Sequence, residues 1–127
     1  MPKERQQDKA VMVRYADAIV IDALIPGTPE GYVGGPISDY EKMVSRSKDH
    51  GFDAVSYTAA IDDTYEPLEI VQWIGKALRY WNSKPDIYYI VETVGDIRQA
   101  KSEGKFAVML NFQGSNALGS RLEMVDA

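Results

Sequence analysis

Three short runs of consecutive apolar residues punctuate the chain: Ala18-Ile19-Val20-Ile21, Ala54-Val55-Ser56-Tyr57 and Phe106-Ala107-Val108-Met109-Leu110. Their apolarity is continuous rather than alternating, the pattern of parallel strands covered on both faces. A shorter extended stretch is expected over residues 87–91. Between the runs the period lengthens to that of helices. Ser38-Asp39-Tyr40-Glu41 has the spacing of a capping box, in which the Ser oxygen and the Glu carboxylate satisfy amides at a helix start. The helix it predicts carries Tyr40, Met43, Val44 and Ser47 on one face and closes at His50-Gly51. Asp62-Asp63-Thr64 opens a longer helix with Leu68, Val71, Ile74, Leu78 and Trp81 as its apolar stripe, ended by Asn82-Ser83-Lys84-Pro85. Thr93-Val94-Gly95-Asp96 then leads into a helix over 97–103 that stops at Gly104. Residues 1–16 are expected to form an N-terminal helix.

Strand, helix and strand in this rhythm imply parallel pairing through crossover connections, and so an α/β fold. Two architectures satisfy it: an open doubly wound sheet, or the opening units of a (β/α)8 TIM-type barrel. Residues 117–127 read as a helix in progress, with Leu118, Leu122 and Val125 at helical spacing and no Gly or Pro to stop it. That favours an incomplete barrel, with residues 1–127 as a single partial domain. Such a piece, with open sheet edges, is expected to be marginal alone.

Composition narrows the partners more than the fold. At 45% hydrophobic and 26% charged the chain is an ordinary globular one, which excludes disorder and fibrous repeats. Fourteen Lys and Arg against nineteen Asp and Glu leave a net charge of -5, the wrong sign for tracking phosphates, so nucleic acid is not an expected partner. With no cysteine, no disulfide framework or thiol nucleophile can be built. The first nine residues lack the apolar segment of a secretory signal, and no apolar run is long enough to span a bilayer, so the expectation is a cytoplasmic chain without a membrane partner.

In either architecture ligands bind at the carboxyl ends of the strands, which singles out Asp22, Tyr57 with Thr58, and Asn111 with Gln113. Asp22 could take a metal, a substrate amine or simply a backbone amide of its own turn. Tyr57 could reach a ligand or pack with its hydroxyl satisfied nearby. In Asn111-Phe112-Gln113-Gly114, two side-chain amides leave a buried strand beside a Gly that permits close approach. An ordinary loop is the alternative. His50, the sole histidine, sits at a helix end, where it can face the helix dipole. Ser45, Ser47, Ser56 and Ser115 have no neighbouring base to make one a nucleophile.

The stretch Asp96-Ile97-Arg98-Gln99-Ala100-Lys101-Ser102-Glu103-Gly104-Lys105-Phe106-Ala107-Val108-Met109-Leu110-Asn111-Phe112-Gln113-Gly114 resembles the renal-type, or membrane, dipeptidase family of zinc hydrolases. There a helix ending in Glu-Gly-Lys leads into an apolar strand that finishes in Glu-Gly. Val20-Ile21-Asp22 looks like the family's first strand and the helix containing Trp73 like its second crossover, so the match runs from about Tyr15 onward. The resemblance implies a (β/α) barrel with a two-zinc site, where a metal-bound hydroxide attacks the carbonyl of a dipeptide. The family's His-x-Asp metal pair falls here on Leu24 and Pro26, and its metal-bridging Glu falls on Gln113. No catalytic residue carries over, and the pattern reads as a branch with an altered metal site.

The leading expectation is therefore the N-terminal portion of a metallodipeptidase-like hydrolase. Its partners would be a small-molecule or dipeptide substrate, the remainder of the barrel and, in an oligomer, further copies of the chain. The alternatives are a barrel of the same fold that binds a small ligand without hydrolysing it, and a complete open-sheet α/β binding module.

Overall fold

The computed structural model describes residues 17–25, 37–60, 67–119 and Glu123. The expected helix over 1–16, the Gly- and Pro-rich loop 26–36 and the Asp62-Asp63-Thr64 helix start lie outside them. The described elements are β1 (Ile21–Ile25), α1 (Ile37–Asp49), β2 (Ala54–Ala60), α2 (Pro67–Asn82), β3 (Tyr88–Ile90), α3 (Val94–Ser102), β4 (Phe106–Phe112) and a 3₁₀ turn at Ser115–Leu118. The four strands form one parallel sheet in the order β1-β2-β4-β3. The chain thus has the parallel α/β architecture that its apolar pattern implies.

Each long strand begins or ends later than its apolar run. The first run is offset by three residues, since β1 starts at Ile21, and β2 and β4 continue to Ala60 and Phe112. Strand length follows the hydrogen-bond ladder, which polar residues can continue. Asp22, Tyr57, Thr58 and Asn111 are consequently inside strands, and only Gln113 follows one. At the C-terminal side, Ser115–Leu118 is a 3₁₀ turn leading to Gly119, so residues 117 and 118 do not start an α-helix. Apart from Gly119 and Glu123, the rest of the expected helix lies outside the described residues.

Two of the helix-to-strand turns are built alike. At the end of α1, Gly51 has φ of +85°, its N–H donates to the Lys48 carbonyl, and the Phe52 N–H reaches back to the Ser47 carbonyl. At the end of α3, Gly104 has φ of +68°, its N–H donates to the Lys101 carbonyl and that of Lys105 to the Ala100 carbonyl. Both are Schellman closures, and the left-handed residue is Gly because it has no Cβ to strain. The α3 helix starts at Val94, three residues before the expected 97, because the cap lies at the front of the Thr93–Asp96 segment. Thr93 is the N-cap, and the Asp96 carboxylate accepts hydrogen bonds from the Thr93 and Glu92 backbone amides at 2.6 and 3.0 Å. Those bonds hold the Asp96 carboxyl below its ordinary pKa. The capping box expected at Ser38 and Glu41 is different. The helix already begins at Ile37, and Glu41 pairs instead with Lys84, which lowers the Glu41 pKa and raises that of Lys84.

The chain path reverses at β3. Moving β1 to β2 to β3 crosses the sheet one way, and β3 to β4 steps back, so crossovers of one hand place α3 on the opposite face from α1 and α2. Side-chain alternation agrees. Val44 of α1 and Trp73, Ala77 and Trp81 of α2 pack with Ile25, Val55, Tyr57, Tyr88, Phe106 and Val108. Ile97 and Ala100 of α3 pack with Ala54 and Ala107, whose side chains point the other way. The buried stripe of α2 is Ile70, Trp73, Ala77 and Trp81, while Leu68 and Val71 of the expected stripe are exposed. This helix is apolar on more than one side, and its two tryptophans take the sheet-facing one.

Candidate functional site

In a barrel, the face under α1 and α2 would be the outside and the other the interior. On that inward face Ile97 and Ala100 of α3 pack on Ala54 and Ala107, where the strands begin. Its Lys101 ties that end together, donating to the Asp53 carboxylate and the Ala18 carbonyl at 2.8 and 2.7 Å. The carboxyl-end half of the face carries Ser56 and Thr58 of β2 and Met109 and Asn111 of β4, in register as Ser56 beside Met109 and Thr58 beside Asn111.

Three of these side chains form a chain of hydrogen bonds. The Thr58 hydroxyl donates to Asn111 Oδ1 at 3.0 Å, and Asn111 Nδ2 donates to Ser56 Oγ at 2.6 Å. Thr58 is 2% exposed, while Ser56 and Asn111 are half-buried. A polar network between apolar strands fixes the orientation of the Asn111 amide, and it sits where ligands bind in parallel α/β folds.

The other sequence candidates go elsewhere. Tyr57 is in the outward core, stacked on Trp73 at 6.1 Å between ring centroids and edge-on to Trp81 at 5.6 Å. Of its two readings the packing one describes its position. Asp22 is level with Val55, three residues before Thr58, which puts it about 10 Å lower along the sheet than Asn111. Its Oδ1 accepts the Leu24 amide at 3.2 Å. Gln113 is exposed beyond β4. So Asn111 and Gln113 stay at the carboxyl end, and Asp22 and Tyr57 do not join them. Ser56 has no base beside it to make it a nucleophile, and its same-face spacing with Thr58 is the signal in the sequence that brings it into the network.

Asp22 lines a cleft of about 340 Å³ at the outer edge of β1, with Met43, Arg46, His50 and Phe52 among its walls. Two of its polar groups are engaged with nearby backbone: Asp22 with Leu24, and His50 Nδ1 with the Arg46 carbonyl at 2.6 Å.

No protein-family model and no curated protein matches the chain. Among solved structures it is similar to an amidohydrolase from Pseudomonas aeruginosa, with a TM-score of 0.65 at 24% identity. The similarity covers 88% of this chain and 31% of that one. The fold is shared: this sheet and its helices match part of a TIM-barrel-like fold. In such a barrel the inward face would be the one that bears Ser56, Thr58 and Asn111.

The zinc that the dipeptidase resemblance implies does not fit the residues present. Leu24 is a hydrocarbon, Pro26 lies outside the described residues, and Gln113 is a neutral amide, a weak donor to a divalent cation. Among the described residues no three His, Cys, Asp or Glu side chains come together. Nor, among them, is any helix long and apolar enough to cross a membrane.

Proposed function

We propose that the chain forms the opening strands of an amidohydrolase-type barrel, in a branch related to the dipeptidases, and that its inward face holds a small amide or dipeptide. The observation that carries this reading is the shared fold with the Pseudomonas aeruginosa amidohydrolase over 88% of the chain. The Ser56, Thr58 and Asn111 network supports it, since these neutral hydrogen-bonding groups lie toward the carboxyl ends of parallel strands, the end at which barrels receive ligands.

What these residues do chemically is bind and orient. A hydroxyl and an amide without an adjacent base hold a substrate, but they do not generate a nucleophile. The chain's own contribution is therefore recognition, and the rest of a barrel and its substrate are the partners this reading requires. The inward position of α3 favours a second reading, an open-sheet binding module with helices on both faces. It uses the same carboxyl-end site.

Calorimetric titration with a dipeptide, alongside a hydrolysis assay with added zinc or manganese, tests the proposal. Binding without turnover is expected. Turnover that a chelator abolishes would overturn the recognition-only role, and absence of binding would overturn the ligand reading itself.

A further inference from the structure

The hydrogen-bond network on the inward face has more protons than it uses. Ser56 and Thr58 each carry one hydroxyl proton and Asn111 carries two amide protons. The bonds from Thr58 to Asn111 and from Asn111 to Ser56 consume one hydroxyl and one amide proton. The Ser56 hydroxyl proton and the second Asn111 amide proton remain. In this amide orientation the spare hydroxyl proton is on Ser56; reversing the Asn111 amide would move it to Thr58. Buried or half-buried donors call for acceptors, whereas surplus lone pairs on oxygen are tolerated more readily.

Ser56 and Asn111 are half-buried and so keep part of their surface accessible, while Thr58, level with Asn111, is 2% exposed. All three side chains are uncharged. A carboxylate brought against them would lose its hydration with no countercharge in the network, whereas an amide carbonyl gives up much less.

We infer that Ser56 and Asn111 are a paired-donor site for the carbonyl oxygens of a small neutral amide, with Thr58 as the positioning residue that fixes the Asn111 amide. The inference rests on the ligand-binding reading above and adds to it the groups that recognise the ligand and the preference for a neutral one. It also separates recognition from charge: the site selects for acceptor oxygens, not for ionic termini.

The test is calorimetric titration of the full chain with N-acetylglycinamide, which offers neutral carbonyls, and with N-acetylglycine, which adds a carboxylate. Far-UV circular dichroism checks each variant's fold. N-acetylglycinamide is expected to bind, with N-acetylglycine no tighter. S56A should weaken the neutral probe about tenfold, the loss of one hydrogen bond. T58V should weaken it as well and move the Asn111 side-chain amide resonances, and T58S should restore both. Binding of the neutral probe that S56A and T58V leave unchanged would overturn the paired-donor site while leaving the ligand reading intact. Much tighter binding of N-acetylglycine would overturn the neutral-amide class. No binding of either probe or of a dipeptide would overturn the ligand reading together with this inference.

Discussion

The two faces of this sheet are made from alternate residues of the same strands, yet they are built for different purposes. On the outward face Tyr57, Phe106 and Val108 are nearly inaccessible, and Tyr57 meets Trp73 and Trp81 of α2 through aromatic contacts. On the inward face the residues are small at the strand starts, with Ala54 and Ala107 under α3, and polar at the strand ends. The first face supplies burial and so most of the stability. The second gives up apolar burial at its carboxyl end in exchange for oriented hydrogen-bonding groups. A substitution should therefore change stability or recognition according to the face it lies on.

The largest effect is expected from W81A. Trp81 is 2% exposed and contacts Tyr57 edge-on, so truncation should cost about 3–5 kcal/mol, a large share of a margin of about 5–15 kcal/mol. Urea denaturation followed by circular dichroism measures it. W81F sharpens the test: among the described residues the Trp81 indole N–H has no hydrogen-bond partner, so removing that donor while keeping a ring should cost far less.

On the inward face, T58V keeps the shape but leaves the Asn111 carbonyl oxygen without its donor. It should cost about 1–2 kcal/mol by the same measurement, with the denaturant slope unchanged.

These expectations bear on how much of the molecule could be read from its residues. Gly51 and Gly104 announced the helix ends correctly, because a left-handed closure has a strong residue preference. Thr93 and Asp96 announced a helix start for a similar reason. The apolar runs mark the strands but not their limits, since Asp22, Thr58 and Asn111 continue the ladder without being apolar. This bears on the site, because alternation assigns faces only once a strand's register is known, and the apolar runs alone do not separate Tyr57 from Asn111, which point to opposite faces. The placement of α3 was not legible at all, because it depends on β3 pairing beyond β4 rather than between β2 and β4. The resemblance carried by the run from Asp96 to Gly114 concerns a segment dominated by local geometry, and the parallel α/β fold it implies is the one observed.

The smallest expected effect is electrostatic and belongs to neither face. The Asp96 carboxyl is held below its ordinary pKa by the Thr93 and Glu92 amides, so its contribution is present above its unfolded value of about 4. It is lost as the pH falls through the lower folded value. The stability difference between the parent chain and D96N should shrink as the pH is lowered from about 5 to 2, measured by thermal unfolding at each pH.

The most direct test of the division between faces is chemical-shift mapping of the isotopically labelled chain during titration with N-acetylglycinamide. The perturbations should centre on Ser56, Met109 and Asn111 and reach Gln113, leaving the Tyr57, Trp73 and Trp81 rings unmoved. Perturbations centred instead on Asp22, Met43, Arg46 and His50, around the outer cleft beside β1, would contradict the account.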